Sequence, residues 1–143
     1  MNTHKKLLFV LAMGLLFSTF SQETKQTVQV TNLEAIQGTL YIGWYSIPED
    51  FRINDKAIYR EALEVGGSSA VTVSFENIPV GNYAIAVFLD ENDNYELDRN
   101  LFGLPTEKYG FSNNVLPAFR PASFEESAFT VSQEEMMVSI NLK

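Results

Sequence analysis

The run Tyr83-Ala84-Ile85-Ala86-Val87-Phe88-Leu89 constrains the fold more than any other stretch, because all of its residues are apolar or aromatic. Successive side chains of a strand point to opposite faces, so this run would be apolar on both faces of a sheet. It is too short for a typical buried helix, and its β-branched and aromatic residues favour a strand. The run therefore predicts a central strand that is covered on both sides.

Further strands are predicted where apolar and polar residues alternate, as they do around Val71, Val73 and Phe75. With the central run these segments make about seven strands, and no long helical period accompanies them. The sequence therefore predicts an all-β fold, an antiparallel β-sandwich of the immunoglobulin-like or prealbumin-like kind. The additional predicted strands cover residues 26–33, 39–45, 61–65, 71–76, 124–131 and 136–142.

Two longer segments lack this alternation. Residues 47–51 break the strand pattern and residues 52–62 have no clear period, which predicts a long connection with room for one helical turn. Residues 99–121 are rich in glycine, proline and asparagine, so we expect mostly ordered loop there, without regular sheet.

The first 21 residues have the composition of a secretory signal peptide. Basic His4-Lys5-Lys6 precedes an apolar run from Leu7 to Phe20, and small or polar residues surround Ser21. The run is shorter than the roughly twenty residues that a transmembrane helix needs, so no membrane span is expected. We therefore expect residues 1–21 to be a signal peptide cleaved near Ser21, and residues 22–143 to form a single β-sandwich domain.

The composition of the remaining chain excludes several classes of protein. Without Lys5 and Lys6 it has eight basic and eighteen acidic residues, a formal charge of about −10, which repels nucleic acid and favours divalent cations or basic partners. The chain has no cysteine, and its one histidine, His4, lies in the predicted signal peptide. The mature chain would therefore lack a thiol nucleophile, and it would lack an imidazole for zinc binding or general base catalysis.

An acidic stretch, residues 90–98, directly follows the central run. Five of its nine residues carry carboxylates, which repel one another unless a cation or solvent separates them. Side-chain oxygens recur at alternate positions, and such a loop can wrap one calcium ion. The predicted metal ligands, at positions one, three, five, seven and nine, are Asp90, Asn92, Asn94, Glu96 and Asp98.

Two positions depart from the calcium-binding loop of helix-loop-helix proteins. Position six, normally glycine, is Tyr95, and position twelve, normally glutamate, is Leu101. Tyr95 would need a different backbone path or a left-handed conformation, and the last ligand would be Asp98, water or Glu107. The alternative interpretation is a solvated turn, in which asparagines adopt the unusual backbone angles.

Two further patterns suggest other functions. Trp44, Tyr41, Tyr45 and Tyr59 could form an aromatic platform for a sugar or a peptide, although such residues more often fill a core. Paired carboxylates could act as acid and base in glycoside hydrolysis, but no cleft is visible in a domain of this size. We therefore expect no catalytic residues and a protein that is not an enzyme.

Four motifs of the chain form a specific combination: Phe75-x-x-Ile78-Pro79-x-Gly81-x-Tyr83-Ala84-Ile85, Asp90-Glu91-Asn92, Leu97-Asp98-x-Asn100-x-x-Gly103-x-Pro105-x-Glu107 and Gly110-Phe111-Ser112-Asn113-Asn114. Together they resemble an uncharacterised family of secreted bacterial proteins, the domain of unknown function 2141. The resemblance implies export in a bacterium, to the periplasm or outside the cell, and a single sandwich domain without an established activity. Residues 75–85 are also similar to the strand-turn-strand of prealbumin-like and surface-adhesin repeat domains.

The sequence and the resemblance together predict an exported, non-enzymatic β-sandwich protein. Its loop at residues 90–98 would bind calcium as a structural ion and order residues 99–114. The alternative is a metal-independent, adhesive module that binds a protein or a carbohydrate.

Overall fold

The strands that the alternating pattern predicts assemble into two sheets. The computed structural model describes residues 24–34 and 36–143, and the described residues form eight strands. The strands are β1 (Lys25–Thr31), β2 (Thr39–Tyr45), β3 (Tyr59–Glu64), β4 (Ala70–Glu76), β5 (Gly81–Asp90), β6 (Tyr109–Phe111), β7 (Phe129–Val131) and β8 (Met136–Asn141). A short helix, α1 (Phe124–Ser127), and 3-10 turns at Pro48–Asp50, Asn54–Lys56 and Ser112–Asn114 lie in the connections.

The two sheets differ in size. β1 is the middle strand of a three-stranded sheet with the order β4-β1-β8. The five-stranded sheet has the order β3-β2-β5-β6, and β7 pairs with the first residues of β5. β2 runs antiparallel to β5 with Trp44 opposite Ile85, whereas β1 runs parallel to β8 with Val28 opposite Val138. The predicted all-β sandwich is confirmed, with a parallel pair at β1 and β8.

The main hydrophobic core lies between the two sheets. Trp44 is completely buried there, and its ring packs against the rings of Phe75, Tyr83 and Phe129 at centroid distances of 5.3, 5.8 and 5.4 Å. Complete burial of a large apolar side chain contributes about 1.5–3 kcal/mol. Other inward residues at alternate strand positions are Val28, Val30, Leu40, Ile42, Ile85, Val87, Leu89 and Ile140.

A second hydrophobic cluster covers the opposite, outer face of the five-stranded sheet. Tyr45 of β2, Ala84 of β5 and Phe111 of β6 point to this face, where Phe51 and Ala122 from the connections cover them. The rings of Tyr45 and Phe51 lie 5.5 Å apart. Because β5 separates the two clusters, it is apolar on both faces, and the prediction of a central strand is confirmed.

The expectation that residues 99–121 contain no regular sheet is wrong at β6. Tyr109–Phe111 pairs antiparallel with β5, with Gly110 opposite Val87. Three residues are too few to display an alternating pattern, so the sequence carries little signal for this strand. In the other long connection, β3 begins at Tyr59, slightly before the predicted residue 61.

The predicted strand at residues 124–131 is correct only in its second half. Residues Phe124–Ser127 form α1, and β7 begins at Phe129. The Glu126 N–H donates to Ser123 Oγ at 3.3 Å, and the Ser123 N–H donates to the Glu126 carboxylate at 2.9 Å. This capping box satisfies two backbone donors that β pairing would otherwise have to satisfy, which favours a helical turn.

The predicted signal peptide, residues 1–21, lies outside the described residues. In the part of the chain that the structure describes, no helix has the length and apolar character needed to cross a membrane. The helix α1 has four residues.

Substitution of Gly110 by alanine should destabilise the protein by about 1–3 kcal/mol, because the core at this position is filled. A Cβ atom on Gly110 would lie 2.8 Å from Ile140 Cγ2 and 3.1 Å from Leu142 Cδ2. Urea unfolding measures the change. Gly81→Ala is the matched control, since its Cβ would lie 3.3 Å from the edge of the Tyr83 ring. Equal unfolding midpoints for the two variants would contradict this packing.

Candidate functional site

The acidic loop begins at Asp90, the last residue of β5. Asp90 is completely buried and lies opposite Thr39 of β2. The backbone N–H of Asn94 donates to Asp90 Oδ1 at 3.2 Å, and that of Tyr95 donates to Oδ2 at 2.8 Å. A buried carboxylate is costly unless donors surround it, so these two bonds fold residues 91–95 back over the end of β5.

The two asparagines of the loop form successive tight turns. Asn92 Oδ1 accepts a hydrogen bond from the Asn94 N–H at 3.2 Å, and Asn94 Oδ1 accepts one from the Glu96 N–H at 3.0 Å. Asparagine favours such bonds to the backbone two residues on. Asp93 and Tyr95 are left-handed, with φ of 58° and 67°. Of the two conformations expected for Tyr95, the left-handed one is observed.

Asp98 closes the loop from its other end. The Asn92 Nδ2 group donates to Asp98 Oδ2 at 2.6 Å, and the Asn94 Nδ2 group donates to Oδ1 at 2.8 Å. The Thr39 hydroxyl donates to Asp93 Oδ1 at 3.2 Å and connects the middle of the loop to β2. The carboxylates of Asp90, Asp93 and Asp98 therefore face N–H and O–H donors, which reduces the repulsion that their spacing in the sequence implies.

Glu107 joins the two ends of the acidic loop. Its side chain is buried, with Oε1 accepting from the Glu91 N–H at 2.8 Å and Oε2 accepting from the Asp98 N–H at 3.0 Å. Hydrogen bonds to a charged acceptor are stronger than neutral ones. Glu107, which the sequence identified only as a possible last ligand, therefore fixes the base of the loop.

Four of the five predicted ligands lie in one hydrogen-bonded network: Asp90, Asn92, Asn94 and Asp98. The fifth, Glu96, contributes its backbone N–H, and its side chain is exposed. Within residues 24–34 and 36–143, no group of three or more His, Cys, Asp or Glu side chains has an arrangement that could hold a metal ion. Calcium binding by this loop stays a prediction.

A cavity of about 420 Å³ lies beside the loop, on the outer face of the five-stranded sheet. This volume falls within the roughly 300–1,000 Å³ range of small-molecule sites. Residues of β2, β5 and β6 form its floor, and residues 95–105 and 117–121 contribute its walls. Burial, together with the nearby negative charges of Asp90 and Asp93, raises the pKa of Tyr41 on this floor.

The aromatic platform predicted from Trp44, Tyr41, Tyr45 and Tyr59 is not formed as one surface. Tyr41 and Tyr45 line the outer cavity, whereas Trp44 lies in the main core and Tyr59 packs against that core. Neighbouring residues of a strand face opposite sides, so Trp44 and Tyr45 cannot share a surface. Tyr41 instead stacks on Phe88, with ring centroids 5.0 Å apart, and contacts the Tyr95 ring edge-on at 6.3 Å.

One wall of the cavity is held by an ion pair. The Arg120 guanidinium donates twice to the Glu126 carboxylate, with both distances at 2.7 Å. The bonds from Arg120 and from the Ser123 N–H lower the pKa of Glu126 from 4.5 to about 2. The carboxylate thus connects the 117–121 segment to the beginning of α1.

Replacement of Glu107 by glutamine should lower the free energy of unfolding by about 1–3 kcal/mol, because an amide NH₂ would face a backbone N–H that has lost its acceptor. Denaturant unfolding in the presence of a chelator measures this effect separately from any metal. Glu135→Gln is the same substitution at an exposed glutamate that does not make these two bonds. It should leave the free energy of unfolding nearly unchanged. A neutral Glu107→Gln variant would contradict the proposed clamp at the base of the loop.

The ionised form of Glu126 should stabilise the fold above the carboxyl's ordinary pKa, and this contribution should disappear as the pH falls from about 4.5 to about 2. The sign follows from a folded-state pKa that is lower than the unfolded one. An NMR titration of the side-chain carboxyl should give a midpoint near pH 2, and Arg120→Gln should move it upward. A midpoint near 4.5 in the unaltered chain would refute the ion pair.

Comparison with known proteins identifies the family of this chain. No curated protein and no solved structure matches the chain significantly. Residues 28–139 match a family described as an uncharacterized protein conserved in bacteria, DUF2141, and this segment extends from within β1 to within β8. The chain therefore belongs to the DUF2141 family.

Proposed function

We propose that the chain is an exported, non-enzymatic bacterial protein whose loop at residues 90–98 binds calcium as a structural ion. The ion would hold the acidic loop together and order the following residues 99–114. Export is supported by the basic and apolar character of residues 4–20. The non-enzymatic part is supported by the lack of any cysteine or histidine after His4.

The observation that carries the proposal is the backbone path at Tyr95. A calcium-binding loop needs a sharp turn at its sixth position, which is why glycine is usual there. Tyr95 has a φ of 67° and makes such a turn although it carries a side chain. The turn brings the residues at positions one, three, five and nine into one network, which an extended path would not do.

The same network supplies a route to coordination. The amide groups of Asn92 and Asn94 lie 2.6 and 2.8 Å from the two carboxylate oxygens of Asp98. A half turn of each amide would exchange its NH₂ for its oxygen and would break the bonds that Asn92 Oδ1 and Asn94 Oδ1 now accept from backbone N–H groups. The oxygens of three side chains would then face one point. Calcium prefers such oxygen ligands, and its charge would then replace the two N–H donors that now face Asp98.

Calcium at millimolar concentration should raise the melting temperature by a few degrees. For a site of the extracellular kind, with a dissociation constant between ~10⁻⁴ and ~10⁻³ M, mass action contributes roughly 0.4–1.4 kcal/mol. Asp98→Asn should abolish the shift, because it removes the charge at the centre of the network. Thermal melts in calcium and in chelator, together with calorimetric titration, measure both effects.

Asp55→Asn is the matched control, because Asp55 is an exposed aspartate outside the loop. It should keep the full calcium shift. Asp90→Asn is a poor probe, since the two carboxylate oxygens of Asp90 accept backbone N–H groups, and the change would destabilise the loop in the absence of calcium. Identical melts of the unaltered chain in calcium and in chelator, without binding heat, would refute the proposal.

The second candidate function is a metal-independent interaction module for a protein or a carbohydrate. Its support is a group of exposed apolar side chains beside the acidic loop, including Leu101, Phe102 and Phe119. Exposed apolar surface of this kind often marks an interaction site. A protein that does not bind calcium but binds a protein or a carbohydrate through this surface would favour the second candidate.

A further inference from the structure

The floor of the outer cavity is a slot between aromatic rings. Gly43 of β2 lies opposite Ala86 of β5. The Tyr45 side chain and Ala57 cover Gly43, since a Cβ atom there would lie 2.9 Å from the Tyr45 hydroxyl oxygen and 3.1 Å from Ala57 Cβ. At one end lies the stacked pair of Tyr41 and Phe88, and at the other end lies Tyr45. The smallest side chain on the floor is therefore that of Ala86, with aromatic rings on either side of it.

The walls of the cavity are apolar and exposed. Phe102 has 89% of its surface exposed and Phe119 has 100%, and both line the cavity. Leu104 lies between the same loops and is also largely exposed. If an apolar group occupied the slot, these exposed apolar side chains would lose contact with water. The hydrophobic effect therefore favours binding of such a group.

The charge of the cavity is opposite to that of the protein. The chain has a formal charge of −8, yet the charged residues that line the cavity are Arg52, Arg99, Arg120 and one acid, Glu96. In the described part of the chain the ion pairs are Lys108 with Glu34 and Arg120 with Glu126. The charges of Arg52 and Arg99 are therefore not paired with a carboxylate there. Arg99 donates to the Gly103 carbonyl at 3.1 Å, which holds it in the wall.

We propose that this cavity binds a small amphipathic carboxylate. The apolar body lies in the slot over Ala86, between the aromatic rings, and the carboxylate contacts Arg99 and Arg52 at the cavity mouth. Arginine is suited to this role because its planar group donates two parallel hydrogen bonds to a carboxylate. The cavity volume matches a small molecule, and its cationic lining selects an anion from other apolar ligands. The proposal does not depend on calcium binding.

Three ten-carbon probes that differ only in their head group test this proposal. Decanoate, decanol and decyltrimethylammonium are titrated below their micelle concentrations by calorimetry, in chelator so that calcium neither bridges nor precipitates the carboxylate. Decanoate should bind at least tenfold more tightly than either other probe. Backbone NMR shifts caused by decanoate should map to β2, β5 and residues 99–105.

Two variants separate the parts of the site. Arg99→Gln should weaken decanoate binding about tenfold and leave decanol binding unchanged. Lys25→Gln removes an exposed positive charge in the other sheet and should have no effect. Ala86→Leu should fill the slot and weaken both probes. If that variant fails to fold, Arg99→Gln alone still tests the contact with the carboxylate.

Several results would overturn the proposal. Absence of binding by all three probes would refute the site, and equal affinity for decanoate and decanol would refute the role of the arginines. Shifts confined to another surface would place the ligand elsewhere. Concentration-dependent dimerisation that Phe119→Ser abolishes, without decanoate binding, would assign the exposed rim to a second copy of the chain.

Discussion

The burial of β5 on both faces is the constraint on which the rest of the structure depends. Ile85 and Val87 fill the main core, whereas the smaller Ala84 and Ala86 face the outer side. A shift of one residue against β2 would exchange these two sets, leaving the core underfilled and the outer face crowded. The register with β2 is therefore strongly specified. That register determines where the acidic loop lies at the end of β5 and where the cavity lies on the outer face of the sheet.

The carboxylates of the acidic loop are held by hydrogen bonds from N–H groups. Asp90 and Asp98 in the loop, and Glu107 at its base, each accept two such bonds, from the backbone or from asparagine side chains. Hydrogen bonds to a charged acceptor such as a carboxylate are stronger than hydrogen bonds to a neutral acceptor. The loop is thus already ordered by its own donors. This arrangement explains how an acidic cluster can sit at the end of a buried strand.

The sequence could predict the strands whose residues alternate between two environments, such as β4 and β8, because burial itself creates that alternation. It could not predict β6 or α1, which are set by pairing with β5 and by the Ser123 cap, respectively. For the loop, the sequence grouped Asp90, Asn92, Asn94 and Asp98, and the structure places these four in one hydrogen-bonded network, whereas their binding of calcium stays a prediction. The hydrogen bonds from Glu107 and the side of the sheet to which Trp44 points depend on contacts between segments that are distant in sequence. A local pattern of residues does not indicate such contacts.

The parallel pairing of β1 with β8 has a consequence for the order of folding. Val28 and Val138 are neighbours in the sheet although more than a hundred residues of chain separate them. Contacts between segments so far apart in sequence form late and slow the folding reaction. The three-stranded sheet, and with it the closed core, can be completed only after nearly the whole chain has been synthesised.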